Sequence, residues 1–434
     1  MALLTKAPRG TQDVLPARSH GWQYLESSLL RTGELFGFQE IRTPTFEHTE
    51  LFSRSVGDTT DVVQKEMYTF EDKGQRSITL RPEGTAGAVR AVMEHGLLGD
   101  ALPLKVSYIT SCFRYEKPQA GRLREFHQFG AEVFGPAGPA ADAELIALAD
   151  EALAAVGITG LSLEINSIGC PKCRPGYHQA LKGYFQGNLE KLCPTCLERM
   201  EKNPLRILDC KNPDCQAVSK DAPMGLDHLC GECEEHFTGL KARLDTLDLG
   251  YTVNPRIVRG LDYYTKTVFE FVSDKIGAQG TVCGGGRYDG LIEQLGGAPT
   301  PALGFAMGLE RLLLVMEALG APIPQPESCD LYIAAMGEAA ALRAFALTGR
   351  LRGEGFFAEC DLMGRSLKAQ MKYANKIGAK YSMVLGDNEL AQGKAELKNM
   401  ATGEVTTLSL DEGFVEAVHE RLLQTAYLSQ DRQD

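Results

Sequence analysis

Residues 113–132 read Phe-Arg-Tyr-Glu-Lys-Pro-Gln-Ala-Gly-Arg-Leu-Arg-Glu-Phe-His-Gln-Phe-Gly-Ala-Glu. The apolar run before them (Val106, Tyr108, Ile109, Cys112, Phe113) and the alternation after them (Phe126, Gln128, Gly130, Glu132) predict two antiparallel strands. Between the strands lies a loop with four cations, Arg114, Lys117, Arg122 and Arg124. Guanidinium forks hold phosphate oxygens in two directions at once, so this hairpin suits a polyphosphate. Glu116 shares a face with Arg114 and can accept from an adenine amino group, while Phe126 can stack on the ring. The same residues also read as a charged hairpin turned to solvent.

Further chemistry-bearing runs follow in order: Pro-Arg-Gly-Thr-Gln-Asp at 8–13, Arg-Pro-Glu-Gly-Thr at 81–85, Arg-Gly-Leu-Asp-Tyr-Tyr at 259–264, Gly-Gly-Gly-Arg-Tyr-Asp-Gly-Leu at 284–291 and Gly-Phe-Ala-Met-Gly-Leu-Glu-Arg at 304–311. The hairpin resembles motif 2 of class II aminoacyl-tRNA synthetases. The later runs resemble the two histidine-specific signatures and motif 3 of the bacterial histidyl-tRNA synthetases. This likeness extends from residue 7 to about 420 in the family's order.

The resemblance implies that the carboxylate of L-histidine attacks the α-phosphate of ATP, releasing pyrophosphate, and that histidine then passes to the 3′-terminal adenosine of tRNA(His). Such a transition state is stabilised chiefly by positioned charge. The resemblance assigns catalysis to Arg259 and Arg114, and ATP binding to Arg114, Glu116, Arg122, Phe126 and Arg311, with Mg²⁺ sharing the phosphate charge. It assigns histidine to Glu83, Gly84, Thr85, Gln128, Glu132, Tyr263, Tyr264 and Tyr288. Glu83, Thr85 and Gln128 would take the α-ammonium; Glu132 and Tyr264 would take the two ring nitrogens. A site demanding two ring hydrogen bonds rejects apolar isosteres strongly. The glycines at 284–286 are expected to allow close backbone approach to the amino acid. Gln119 and Arg124 at the hairpin tip are expected to read the 5′ end of the tRNA. Arg365, Lys368, Lys372 and Lys376, spaced 3, 4 and 4 apart, predict one cationic helical stripe that can meet tRNA phosphates or simply face solvent.

A 434-residue chain with 44% apolar residues buries ample core. Its start has neither the apolar stretch of a secretory signal nor a transit-peptide pattern, and its apolar runs are too short to span a bilayer. These features predict a cytoplasmic protein without membrane contact. The net charge of −12 does not exclude nucleic acid, because binding depends on where cations cluster.

The elements needed to position these residues follow. A helix is predicted over 19–36, capped by Ser19 and buried through Trp22, Leu25, Leu29 and Phe36, then a strand over 38–44 ending at Pro44. In the family this unit resembles motif 1, which implies a homodimer. The expected fold is an α+β catalytic domain over 1–325 built on a mostly antiparallel sheet, the class II synthetase fold. It is interrupted by a helical insertion at 168–250, which the resemblance sets against the acceptor arm. Pro322, Pro324 and Pro326 predict a stiff linker. A C-terminal α/β anticodon-binding domain is expected over 328–425, from a strand–helix–strand–helix–strand run at 330–335, 338–352, 356–360, 366–377 and 382–386. The last residues, 429–434, are expected to fray.

Twelve cysteines without an export signal argue against disulfides. Cys170/Cys173, Cys193/Cys196 and Cys230/Cys233 form three Cys-x-x-Cys pairs, with Cys210 and Cys215 between them. Their spacing suits one or two four-cysteine zinc sites. Reduced structural thiols are nevertheless the preferred expectation, with no metal among the site residues, because many family members lack these cysteines. Cys112, Cys283, Cys329 and Cys360 are expected in the core. Two rival readings are a non-catalytic regulatory subunit of ATP phosphoribosyltransferase built on the same core, and a class II synthetase for another amino acid. The intact Arg114, Arg259 and Arg311 oppose the first reading, and the 259–264 signature opposes the second.

Overall fold

The computed structural model describes residues 4–430 except 58, 59, 61, 209, 211, 258, 260 and 276–279. Gly260 of the Arg-Gly-Leu-Asp-Tyr-Tyr run and the terminal 431–434 therefore lie outside the described residues. The chain forms two compact units, Met1–Pro324 and Gln325–Asp434. Among the described residues, no helix is long and apolar enough to cross a membrane.

The first unit is built on an eight-stranded sheet. Its order is Gln39–Glu40, Leu104–Phe113, Glu125–Phe134, Ala302–Gly308, Thr281–Arg287, Thr265–Val272, Ser162–Ser167 and Thr252–Val253. The two outermost pairings are parallel and the rest antiparallel. Period-two alternation gives the sheet two different faces. Phe129, Ala131, Val133, Phe269, Phe271, Leu303, Phe305 and Met307 point into the larger core, shared with helices Pro16–Leu35, Pro139–Ala155 and Leu309–Leu319. Residues of opposite parity, including Val106, Val268 and Phe134, join a second core with Tyr263, Tyr264 and Tyr288. Gln128 and Glu132 share the parity of Phe134, so the alternation that buries Phe129 and Ala131 on one face sets these polar groups on the other.

The N-terminal helix starts at Pro16, three residues earlier than expected, because proline suits the first helical turn. Ser19 is no cap; its hydroxyl donates to the carbonyl of Pro16 within the helix. The strand expected over 38–44 shrinks to Gln39–Glu40, paired in parallel with Val106–Ser107 at the sheet edge. Pro44 ends that segment before a separate three-stranded sheet, ordered Phe46–His48, Ser77–Leu80, Tyr68–Glu71.

The interruption after Ser167 is helical: Arg174–Gln186, Pro194–Lys202, Pro213–Ser219 and Gly231–Thr246, joined by single turns. Tyr177, Leu181, Phe185, Met200, Leu205 and Ile207 give it a core of its own. Its last helix belongs to the main body, since Phe237, Leu240 and Leu244 enter the larger core.

The second unit holds a five-stranded sheet ordered Ala358–Cys360, Leu331–Ala335, Tyr381–Leu385, Lys394–Asn399, Val405–Ser409. The first three strands are parallel and carry helices Glu338–Gly353 and Leu367–Lys376 between them. The last two are antiparallel additions that the sequence reading lacks. In Lys394–Asn399 only Ala395, Leu397 and Asn399 are buried, and alternating Lys and Glu obscure the strand signal.

Candidate active site

Two cross-sheet rows of residues build one end of the site. In the first, Val106, Glu132, Gly304, Gly286 and Val268 lie side by side on successive strands. In the second, Tyr108, Gly130, Ala306, Gly284 and Glu270 do so. Small residues leave room for large ones. A side chain at Gly304 would collide with the Glu132 carboxylate, and one at either Gly130 or Gly84 with the Tyr108 phenol. Gly84, expected beside histidine, thus has a role in lodging Tyr108.

Glu132 is fully buried and accepts from the hydroxyls of Tyr108 at 2.8 Å and Tyr288 at 2.5 Å. Burial pushes its carboxyl up to about 8, against these hydrogen bonds, which favour the charged form. The rings of Tyr263, Tyr264 and Tyr288 form a cluster beside it, with centroids 4.7 Å and 5.5 Å apart. Glu83 is also buried, and its carboxyl too is raised by desolvation. It accepts from the backbone N–H groups of Thr85 at 2.7 Å and Ala86 at 2.9 Å, capping the helix Thr85–Glu94. Gln128 accepts from the Cys112 thiol at 3.3 Å. Two carboxyl groups, an amide and four phenols therefore converge here.

The cationic end lies next to it. Arg114 continues the parity of Tyr108 and Cys112, donates from Nε to the carbonyl of Pro82 at 2.8 Å, and sets its guanidinium 5.3 Å from the Phe126 ring centre. Phe126 thus meets Arg114 on a ring face expected for a base. Arg122 pairs with Glu116 at 3.1 Å. Arg311 donates to the carbonyl of Thr281 at 2.6 Å. Burial, then the charges of Arg122 and Arg114, lower its pKa, which places three guanidiniums in one field. Arg259 is paired with Glu270 and lies 5.7 Å from the Tyr264 ring centre. Gly284 and Gly286 approach Arg259 and Tyr264, whereas Gly285 faces the neighbouring strand at Gly304–Phe305. The triple glycine thus makes space for protein groups of the site.

At the hairpin tip Gln119 bridges Arg122 through backbone pairing. Arg124 is folded back: its guanidinium stacks 3.9 Å from the Tyr115 ring centre and donates to the carbonyls of Glu116 and Arg9. Its guanidinium is thus engaged within the protein in this structure. In the second unit, Lys368, Lys372 and Lys376 are exposed along one side of Leu367–Lys376, with Gln370 and Ala374 buried behind them. Arg365 is a correction, because it precedes the helix. It pairs with Asp361 at 3.2 Å and stacks 4.4 Å from the Tyr373 ring centre, so the stripe has three cations.

Several contributors escaped sequence reading. Tyr108 was read only as apolar strand, although two glycines opposite it, Gly84 and Gly130, are its signal. Glu270 sits in the Thr265–Phe271 alternation, on the polar parity, and anchors both Arg259 and Thr281. Glu310 accepts from the backbone and the ring of His127, raising that histidine's pKa. Arg287 is fully buried with Asp142, which also contacts His236.

The twelve cysteines are all free. Eight of them sort into two groups of four, Cys170/Cys173/Cys230/Cys233 and Cys193/Cys196/Cys210/Cys215, with sulfurs in each group within 4.8 Å of one another. Cys112, Cys283, Cys329 and Cys360 are buried.

A family model described as Histidyl-tRNA synthetase matches residues 10–172 and 211–312, leaving out the middle of the insertion, and one described as Anticodon binding domain matches 330–421. The Histidine--tRNA ligase of Acetivibrio thermocellus is 58% identical over 409 residues, 94% of this chain and 98% of that one. The ligase of the same name from Caldanaerobacter subterraneus subsp. tengcongensis is 57% identical over 410 residues, again 94% and 98%. The crystal structure of apo S. aureus histidyl-tRNA synthetase matches with a TM-score of 0.82 and 40% identity, covering 96% of this chain and 100% of that one.

Proposed function

We propose, from the premise that this chain belongs to the histidyl-tRNA synthetase family and is a histidine–tRNA ligase, that the face carrying Glu132 and Arg259 is where histidine is activated. The carrying observation is the fully buried Glu132, held by Tyr108 and Tyr288, in the same unit as the positioned guanidiniums of Arg114, Arg122, Arg259 and Arg311. A carboxyl at about 8 and an imidazole near 6.5 are close enough in proton affinity to share a proton in a buried hydrogen bond. Glu132 takes one ring nitrogen and Tyr264 the other, with Tyr263 and Tyr288 walling the ring. Glu83, Thr85 and Gln128 take the α-ammonium, and Gly84 keeps the wall close.

Arg114 spans the histidine carboxylate and the α-phosphate. Arg259, held by Glu270, neutralises the phosphoryl oxygens from the other side and stays charged throughout. Arg122 and Arg311 take the outer phosphates, Glu116 the adenine amino group, and Phe126 the adenine ring. Mg²⁺ enters with ATP as substrate. The nearby carboxylates Glu116, Glu270 and Glu310 already have protein partners, which fits an ion bound mainly through phosphate oxygens and water.

The same reading extends to tRNA. The unit over 328–425 holds the anticodon stem through Lys368, Lys372 and Lys376, and Gln119 lies at the tip facing the acceptor end. The insertion over 168–250 lies against the acceptor arm, and the catalytic unit over 1–325 works as a homodimer in the cytoplasm. A regulatory, non-catalytic role on the same core is opposed by the anticodon-binding match over 330–421. The test is pyrophosphate exchange into ATP with each standard amino acid. Exchange dependent on histidine alone is expected; equal exchange with threonine or glycine refutes the reading.

A further inference from the structure

The cysteine-rich insertion folds its eight thiols into two separate quartets. The outer quartet comes from the stretch 193–215, whereas the root quartet joins distant parts of the chain. Cys170 and Cys173 follow the strand Ser162–Ser167, while Cys230 and Cys233 open the helix Gly231–Thr246. In that root quartet, sulfur–sulfur distances are 3.6 Å for Cys170–Cys173 and Cys173–Cys233, and 3.8 Å for Cys170–Cys230 and Cys173–Cys230. In the outer quartet, Cys193 and Cys210 are 3.8 Å apart. A disulfide needs sulfurs about 2.05 Å apart. Four thiolates around one ion at about 2.3 Å stand on a tetrahedron with edges of about 3.8 Å. Cysteines on a multi-iron cluster must also enclose its irons and sulfides, for which sulfurs within 4.8 Å leave no room.

The surroundings match a metal site as well. Backbone N–H groups are aimed at sulfur: Cys170 at Cys173 Sγ at 3.1 Å, Cys193 at Cys215 Sγ at 3.2 Å, and Asn212 at Cys210 Sγ at 3.5 Å. Such donors stabilise thiolate ligands. Four thiolates on a divalent ion leave two negative charges. Around the root quartet, Lys172 pairs with Glu232 and Lys266 lies 3.6 Å from it.

Both quartets adjoin contacts with the loop that carries Arg259, Tyr263 and Tyr264. Arg174, next to Cys173, donates to the Tyr264 carbonyl at 2.5 Å. Asn203 and Arg206, just before Cys210, donate to the Asp262 carboxylate at 3.1 Å and 3.2 Å. At the root, Ile168 and Gly169 pair with the backbone of Lys266. The insertion is therefore bonded to the activation loop at several points and does not stand apart from it.

We propose that the insertion binds two structural zinc ions, one in each cysteine quartet, and that this zinc-braced module positions the signature loop through Arg174, Asn203 and Arg206. The sequence reading preferred reduced thiols; the sorting into two tetrahedron-sized groups is what reverses that preference. The positioning half rests on the proposed activation site, while the metal half does not.

Elemental analysis of the whole chain, purified without chelator or metal-affinity resin, tests the metal half. Two zinc ions per chain are expected. Less than half a zinc per chain, or iron in its place, overturns it. The paired variants C173S/C233S and C196S/C215S are each expected to lose one zinc and keep the other, and loss of none overturns the site assignment. The positioning half is tested with Arg206→Ala, which leaves all eight thiols in place. Its zinc content is expected to stay at two while histidine-dependent exchange falls about tenfold, as the loss of one charged hydrogen bond can cause. Arg206→Lys is expected to recover part of that loss. Undiminished exchange in Arg206→Ala overturns the positioning role even if both zincs are present.

Discussion

Gly284 lies against the guanidinium of Arg259, so that any side chain at 284 would collide with both terminal nitrogens. The pairing of Gly284 with Glu270 on the neighbouring strand completes the arrangement, because Glu270 holds that same guanidinium. One glycine thus provides the space and one carboxylate provides the charge that fix a single cation over the sheet. The third member, Tyr264, has its ring near the guanidinium and its carbonyl held by Arg174.

Gly284→Ala is therefore expected to act on catalysis more than on folding. The colliding atoms are the far end of a flexible side chain, so Arg259 can swing aside and the fold survives. Histidine-dependent exchange should fall by on the order of 10²-fold with the Michaelis constant for histidine little changed, the pattern of a lost transition-state contact. Arg259→His should show the same pattern. Steady-state exchange kinetics beside a thermal melt check both. A Gly284→Ala enzyme with normal turnover would remove the space argument.

Gly304→Ala is expected to act on folding as well as on the site. Its new methyl meets the Glu132 carboxylate and the backbone carbonyl of Ala131, and backbone cannot step aside. Overpacking of this kind costs about 1–3 kcal/mol. The melting temperature of the first unit should drop by several degrees; an unchanged melt would show that the sheet accommodates the methyl.

Much of this arrangement was legible in the sequence, and the physical reason differs for each part. The strands around 104–113 and 125–134 announce themselves by period-two apolar alternation, and the arginines proposed for catalysis sit in runs whose order is itself informative. Tyr108 was not legible, because a tyrosine in an apolar strand looks like core until the glycines across from it show why it fits. Arg365 and Arg124 illustrate the reverse limit. Spacing counts cations but does not reveal that Asp361 and the Tyr115 ring have already engaged them. The cysteines were visible as pairs, but which pairs meet is decided by the fold of the insertion, where residues sixty apart in sequence come together.

The raised pKa of Glu132 makes a pH prediction with a definite sign. Its folded value of about 8 lies above that of an exposed carboxyl, about 4.3, so the folded state holds the proton more tightly. The stability this contributes is fully present below the unfolded value and is lost as pH rises through about 8. Relative to Glu132→Gln, the unliganded chain should lose on the order of a few kcal/mol between pH 5 and pH 9. Melts of both proteins across that range check it. Parallel curves would mean that Glu132 is charged in the folded chain at neutral pH.

The lysine side of Leu367–Lys376 separates binding cations from structural ones. Lys368 and Lys372 are exposed one turn apart, on the side away from buried Gln370 and Ala374. Gln370 is fixed by the backbone of Ala335 and Arg365, so the helix cannot roll the lysines out of view. If the two lysines neutralise tRNA phosphates, replacing both with Ala removes two released counterions. The slope of log affinity against log salt should then flatten by about 1.4–1.8. Histidine-dependent exchange, which involves the other unit, should be unaffected. Arg365→Ala is the control: with its guanidinium engaged by Asp361 and Tyr373, it should lower the stability of the second unit and leave the salt slope nearly as it was. Filter binding of tRNA at several salt concentrations distinguishes the outcomes. A double-lysine variant with the parent slope would assign this side of the helix to solvent alone.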